Sequence, residues 1–219
     1  MFAKEAQMDN NSQEIHHRQI KNYLWKKWGD SKRYRKFLVE LDRYEVMGAK
    51  EVGVRRWEAN AQAKRKSPKI NPKDPSSSES RDILGALGEM AAIKWLKEQG
   101  FDATLEKFND TENPVSDNFD TDIVFAGQTF SVEIKATPKP MNSKLIYPLH
   151  KGKKDKQPDI FLLVCQIDED KHCIKGFTTS DKILNNVDES LPSKAYSIHE
   201  KDLESDLNKL LNKLAKESK

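Results

Sequence analysis

The 219-residue sequence has only two cysteines, Cys165 and Cys173. Their spacing matches no metal-ligand pattern, and both lie among apolar residues where a reduced thiol packs as a small hydrophobe. Neither a zinc site nor a disulfide framework is therefore expected. Long apolar runs are missing as well. The longest uncharged one, Ile160 to Val164 with Cys165, falls far short of the roughly 20 residues needed to cross a bilayer. The opening stretch from Met1 to Asn11 has no apolar signal core. The expectation is no membrane association and an intracellular, cytoplasmic location. No internal repeat is evident.

Charge is what the chain has in quantity. Charged residues make up 33% and the hydrophobic set 36%, which describes a solvated surface around a lean core. The length suits one medium-sized core and not two full domains. Residues 1–75 hold 18 Lys and Arg against 10 Asp and Glu, and the rest 20 against 25, so a segment of +8 precedes one of −5. A basic first third fits phosphate-backbone affinity, and fits an ordinary solvated helical face equally well.

From Gln13 to about Lys66 the spacing is helical: Ile20, Leu24 and Trp28, then Phe37, Leu38, Leu41 and Tyr44 after a break at Gly29-Asp30-Ser31. This predicts a basic helical extension over residues 1–66. Residues 67–80 hold three prolines and five serines without periodicity and read as a linker. An apolar stripe of Ile83, Leu84, Leu87, Met90, Ala91, Ile93 and Leu96 predicts a buried helix ending near Gly100. Strands are expected over Asp122–Phe125, Thr129–Ala136, Pro158–Ile167 and His172–Phe177, with Asp168-Glu169-Asp170 as a turn. Thr179 or Ser180 caps a short helix through Leu184. Leu203, Leu207, Leu210, Leu211 and Leu214 stripe a C-terminal amphipathic helix within residues 201–219. The sum is an α/β (α+β) fold, a central mixed sheet flanked by helices, with its core over residues 81–200.

The chemically informative segment is Phe130-Ser-Val-Glu-Ile-Lys-Ala136. Alternate side chains of a strand share a face, so Glu133 and Lys135 point one way and Val132, Ile134 and Ala136 the other. If Gly127-Gln128 forms a two-residue hairpin loop with Gly at the positive-φ position, Asp122 falls opposite Glu133 and Asp120 opposite Lys135. Two facing carboxylates repel unless a cation sits between them, and Mg²⁺ is the hard cation that such oxygens take. The bland alternative is a charged hairpin with a surface ion pair.

Asp122, ten intervening residues, then Glu133-Ile-Lys135 resembles the active-site signature of the PD-(D/E)XK nuclease superfamily. The stretch Gly85-Ala-Leu-Gly88-Glu89 is similar to the start of the first core helix in several of its branches, and Gly176-Phe177 resembles the end of a late strand. The resemblance covers residues 81 to 185. The proline often placed just before the metal-binding aspartate does not precede Asp122, which leaves Asp120 and Asp122 as alternatives for that ligand. The resemblance implies a restriction-endonuclease-like core and Mg²⁺-dependent hydrolysis of DNA, with Mn²⁺ as a substitute, by an endonuclease of restriction, resolvase or phage type. Asp122, Glu133 and Glu89 would hold the metal, and Lys135 would stabilise charge on the phosphate. The alternative for Glu89 is a partly exposed glutamate near a helix N-terminus.

Further DNA contacts are expected from Lys151, Lys153 and Lys154 in the loop before the third strand, and from Arg55 and Arg56. The latter sit in Ala49-Lys-Glu-Val-Gly-Val-Arg-Arg-Trp57, which has a helix-turn-helix look with Gly53 in the turn. An Arg-rich helix packing Trp57 on the core explains the same residues. The C-terminal leucine stripe serves either a homodimer, as a double-strand cutter needs two sites, or its own core. A different class of function on the same fold is a non-catalytic nucleic-acid-binding or assembly module.

Overall fold

The computed structural model describes residues 22, 25–26, 35–62, 76–104, 119–139, 141–149, 157–191 and 194–217. Lys151, Lys153 and Lys154, and any helix before residue 35 apart from Asn22, Trp25 and Lys26, lie outside them. The chain forms a mixed α/β fold in which a curled mixed sheet is flanked by helices.

The first described strand overturns a helical expectation. Phe37, Val39 and Leu41 are buried while Leu38 and Glu40 are not, so the apolar residues alternate. Leu38–Glu40 accordingly forms an edge strand, β1. Asp42 then starts a helix with a reciprocal cap: its Oδ1 accepts from the amides of Tyr44 and Glu45, and Glu45 Oε2 accepts from the amide of Asp42. This helix, α1 (Arg43–Gln62), runs unbroken through Gly53, so no helix-turn-helix forms there.

Helix α2 (Ser76–Glu98) begins inside the stretch read as linker. It is buried nearly all round, at Ala86, Leu87, Glu89, Ala91, Ala92, Ile93, Trp95 and Leu96, because the sheet covers one side and α1 the other. Small residues set both contacts. A Cβ on Gly53 would stand 2.6 Å from Ile83 Cα, and one on Gly88 would stand 2.6 Å from Ala136 Cβ. The helix stops where the sequence says: Gly100 takes φ 87°, its amide donates to Lys97 O, and the Phe101 amide donates to Leu96 O.

The strands that follow are β2 (Thr121–Phe125), β3 (Gln128–Thr137), β4 (Lys144–Pro148), β5 (Ile160–Gln166) and β6 (Lys171–Thr179). Helix α3 (Ser180–Leu184), capped by Thr179, leads to β7 (Val187–Asp188) and β8 (Ala195–His199). After a 3-10 turn at Glu200–Asp202 comes α4 (Leu207–Glu217). The five-stranded sheet has the order β1-β6-β5-β3-β2, with β3 and β5 parallel and the other pairs antiparallel. A second sheet, of order β4-β8-β7, adds to the strands that the sequence predicts.

Strand β5 is central and has both faces buried, as its continuous apolar run requires. Ile160, Leu162 and Val164 join the helix-side core with α1, α2 and α4. Phe161 and Leu163 join Leu145, Tyr147, Ile183 and Ile198 on the other face, under the small sheet. The C-terminal stripe is spent within the chain: Leu207 and Leu211 are buried and Leu210 and Leu214 pack on the same core, while Leu203 precedes the helix. Both cysteines are buried, and burial pushes the Cys173 thiol up to about 12, so it packs as a hydrophobe. Among the described residues, no helix is long and apolar enough to cross a membrane.

Candidate active site

The β2–β3 hairpin turns at Ala126-Gly127, whose φ values of 51° and 78° make both central residues left-handed, as a type I′ turn requires. The loop is therefore one residue earlier than expected, and the register moves by two. Asp122 pairs with Ser131, and Thr121 with Val132. Continuing one step places Asp120 across from Glu133. Asp120 therefore faces Glu133, while Asp122 lies on the same face two residues nearer the turn.

Asp120 also marks where the ladder ends. Its Oδ2 accepts a hydrogen bond of 2.5 Å from the Ile134 amide, replacing the backbone acceptor that β2 no longer supplies. Beyond this point, among the described residues, β3 pairs with β5 alone. Glu133 is 6% exposed and is ion-paired with Lys135, two residues along the same face. Tyr147 of β4 walls this side. Its ring packs edge-on to Phe161 at 4.8 Å between centroids, and its hydroxyl donates to Gln157 Oε1 at 3.2 Å. Burial and, secondarily, Glu133 push its hydroxyl up to about 12. Nothing in the sequence pointed to Tyr147, because β4 was not read as a strand.

Helix α2 brings Glu89 to the same place. The Gly88–Ala136 contact presses the helix onto β3, and Glu89 is 6% exposed, in mid-helix and not near its N-terminus. One of its oxygens, Oε1, accepts from Arg56 Nη1 of α1 at 2.7 Å; the other, Oε2, is buried and accepts no hydrogen bond. Arg56 is thus turned into the site. Arg55 stays on the surface, ion-paired with Glu51.

Three carboxylates and two cations share this cluster, and the electrostatics follow from the excess of acid. Desolvation, then Glu89 and Glu133, raise the Asp120 carboxyl well above its ordinary range, against Lys135 and the Ile134 amide. Burial works against the charge of Lys135, but Glu133, Asp120 and Glu89 outweigh it and its ammonium is held more firmly protonated than usual. Arg56 behaves the same way, with Glu89, Asp120 and Asp82 offsetting its desolvation.

Comparison with protein families, curated proteins and solved structures finds no match.

What the cluster can do is therefore a matter of its chemistry. Its donors are hard carboxylate oxygens, one of them a buried orphan, and mutual repulsion already leaves the cluster short of positive charge. A hard divalent cation fits that deficit. Among the described residues, however, no three His, Cys, Asp or Glu side chains are already drawn together as a metal-holding group. Glu133 is turned to Lys135 and one oxygen of Glu89 to Arg56. One step nearer the turn, Ser131 donates both its amide and its hydroxyl to Asp159 Oδ2 at 2.7 Å, which ties the start of β5 to β3.

Proposed function

We propose that the chain is a Mg²⁺-dependent nuclease with a restriction-endonuclease-like core, hydrolysing phosphodiester bonds of DNA as an endonuclease. The observation that carries this reading is the register that sets Asp120 across from Glu133, with Lys135 on the same face and Glu89 arriving from α2. The motif resemblance seen in the sequence and this geometry agree on residue types and on the strand that bears them. Asp120, Glu133 and Glu89 would hold the metal; when bound, it supplies Lewis acidity to the scissile phosphate and lowers the pKa of coordinated water.

The remaining chemistry belongs to the chain. Lys135, held protonated by its acidic neighbours, stabilises the negative charge that develops on the phosphate and is poorly suited to be a general base. Asp120 is oriented by the hydrogen bond it accepts from the Ile134 amide. Tyr147 and Phe161 form an apolar wall on one side of the acidic face, which strengthens each charge interaction beside it.

One observation favours the non-catalytic module instead: Glu133 and Glu89 already have cationic partners. The two readings separate on one experiment. Purified chain is incubated with linear, nicked, branched and single-stranded DNA, with and without Mg²⁺ or Mn²⁺. The nuclease reading expects metal-dependent cleavage of at least one form, reduced about 100- to 1,000-fold in Lys135→Ala. Intact DNA in every lane, or equal cleavage by Lys135→Ala, would sink it.

A further inference from the structure

Arg56 is not part of the sequence motif, yet it enters the same cluster from a different helix. The crossing that delivers it is close. At Gly53 the α1 backbone lies against Ile83 of α2 so closely that a Cβ would stand 2.6 Å from the Ile83 Cα. Arg56 is three residues further along the same face of α1. Its guanidinium meets Glu89 Oε1 at 2.7 Å, with the two side chains 21% and 8% exposed. This is a partly desolvated pair, and a surface ion pair would be more open on both sides.

The decisive feature is the asymmetry of the Glu89 carboxylate. Oε1 is engaged and Oε2, itself buried, has no hydrogen-bond partner. A carboxylate oxygen left without a partner in the interior is costly, and water, an ion or a ligand can complete it. Glu89 lies close enough to the acidic cluster at the sheet to act electrostatically on both Asp120 and Lys135. Arginine suits the task of holding the other oxygen. Its planar guanidinium is always charged, donates in fixed directions and offers no lone pair of its own to a cation.

We propose that Arg56 is a positioning residue for Glu89, holding Oε1 so that Oε2 is presented to a hard divalent cation shared with Asp120 and Glu133. This rests on the metal-dependent reading above. Outer hydrogen bonds of this kind orient metal-binding carboxylates, and their loss characteristically costs about 10- to 100-fold in metal affinity. The opposite arrangement is a counter-ion that must leave before a metal enters, and its removal would tighten binding.

The test is Mn²⁺ binding to the full chain at fixed pH, read by the EPR signal of free Mn²⁺, for wild type, Arg56→Ala, Arg56→Lys and Glu89→Gln. Positioning predicts binding weakened roughly 10- to 100-fold in Arg56→Ala and to a similar degree in Glu89→Gln. Arg56→Lys, which keeps the charge but not the fork, should be weakened by less. DNA cleavage by Arg56→Ala should recover towards the wild-type kcat at saturating Mn²⁺, a split that a merely unfolded variant does not show. If Arg56→Ala does not fold, Arg56→Lys decides: affinity equal to or tighter than wild type overturns the proposal. Unchanged or tighter binding in Arg56→Ala overturns it too while leaving the nuclease reading intact. Absence of Mn²⁺ binding by the wild type removes both.

Discussion

Two glycines three residues apart in α2 should respond to the same substitution with opposite sign. A Cβ on Gly85 meets nothing within 4 Å, so Gly85→Ala gains the helix propensity of alanine, about 1 kcal/mol. Gly88→Ala gains the same propensity but drives its methyl to 2.6 Å from Ala136 Cβ, where ordinary carbon contacts lie at about 3.5–4.0 Å. Neither methyl can swing away, so α2 must lift from β3 by roughly 1 Å, and overpacking of this kind costs about 1–3 kcal/mol. Propensity cancels in the comparison, and the two variants should differ by that amount. For a chain of this size each kcal/mol moves Tm by about 2–4 °C, giving a gap of roughly 2–12 °C by circular dichroism. Adding Ala136→Gly to Gly88→Ala removes the opposing methyl and should narrow the gap, which a double-mutant cycle measures. Lifting α2 also carries Glu89 away from Glu133, so metal-dependent cleavage should fall further than stability explains. Equal Tm shifts for Gly85→Ala and Gly88→Ala would refute the close packing that places Glu89.

Three further outcomes are expected. His172 is fully buried on β6 with neither ring nitrogen hydrogen-bonded, and burial pushes it down to about 4 from 6.5. The unfolded chain therefore takes up the proton first: stability is complete above pH 6.5 and declines by about 3 kcal/mol as pH falls towards 4. Urea titrations across that window should show the slope, and His172→Leu should flatten it. Asp120 has the opposite sign, because its folded carboxyl is raised by burial and by Glu89 and Glu133, so stability falls as pH rises through and beyond its ordinary range. Without divalent cations Asp120→Asn should be more stable than wild type at pH 7, with the advantage shrinking as pH falls through the ordinary carboxylate range; an unstabilised variant at pH 7 would contradict the crowding of carboxylates. Ala126 sits at φ 51°, a conformation that alanine adopts at a cost of about 1–2 kcal/mol and asparagine tolerates. Ala126→Asn should raise Tm by a few degrees without altering cleavage, and a lowered Tm would speak against the type I′ turn.

Ala126 also explains the main departure from the sequence. Glycine at 127 points to a loop at Gly127-Gln128, with Gly at the positive-φ position of a two-residue turn, whereas Ala126 also takes a left-handed conformation. The tertiary ladder overrides that local preference, moves the register by two and exchanges Asp122 for Asp120 opposite Glu133. Strand β3 itself was legible, since Phe130 to Ala136 alternates cleanly. So were β5, from its unbroken apolar run, and the helix stop at Gly100. Phe37, Val39 and Leu41 have a spacing that a helix and a strand both partly satisfy, and only pairing with β6 decides between them. Gly53 reads as a turn residue in isolation, whereas its role is the closeness of α1 to α2. Arg56 and Tyr147 reach the site through tertiary packing of α1 and β4, which leaves no local signature.

The most direct measurement compares the single-turnover rate of Mg²⁺-dependent DNA cleavage in Asp120→Asn and Asp122→Asn. Two residues apart and chemically identical, they differ in what they face. The account predicts a loss of about 100-fold or more for Asp120→Asn, with Asp122→Asn within a few-fold of wild type. A large loss confined to Asp122→Asn, or no metal-dependent cleavage at all, would contradict it.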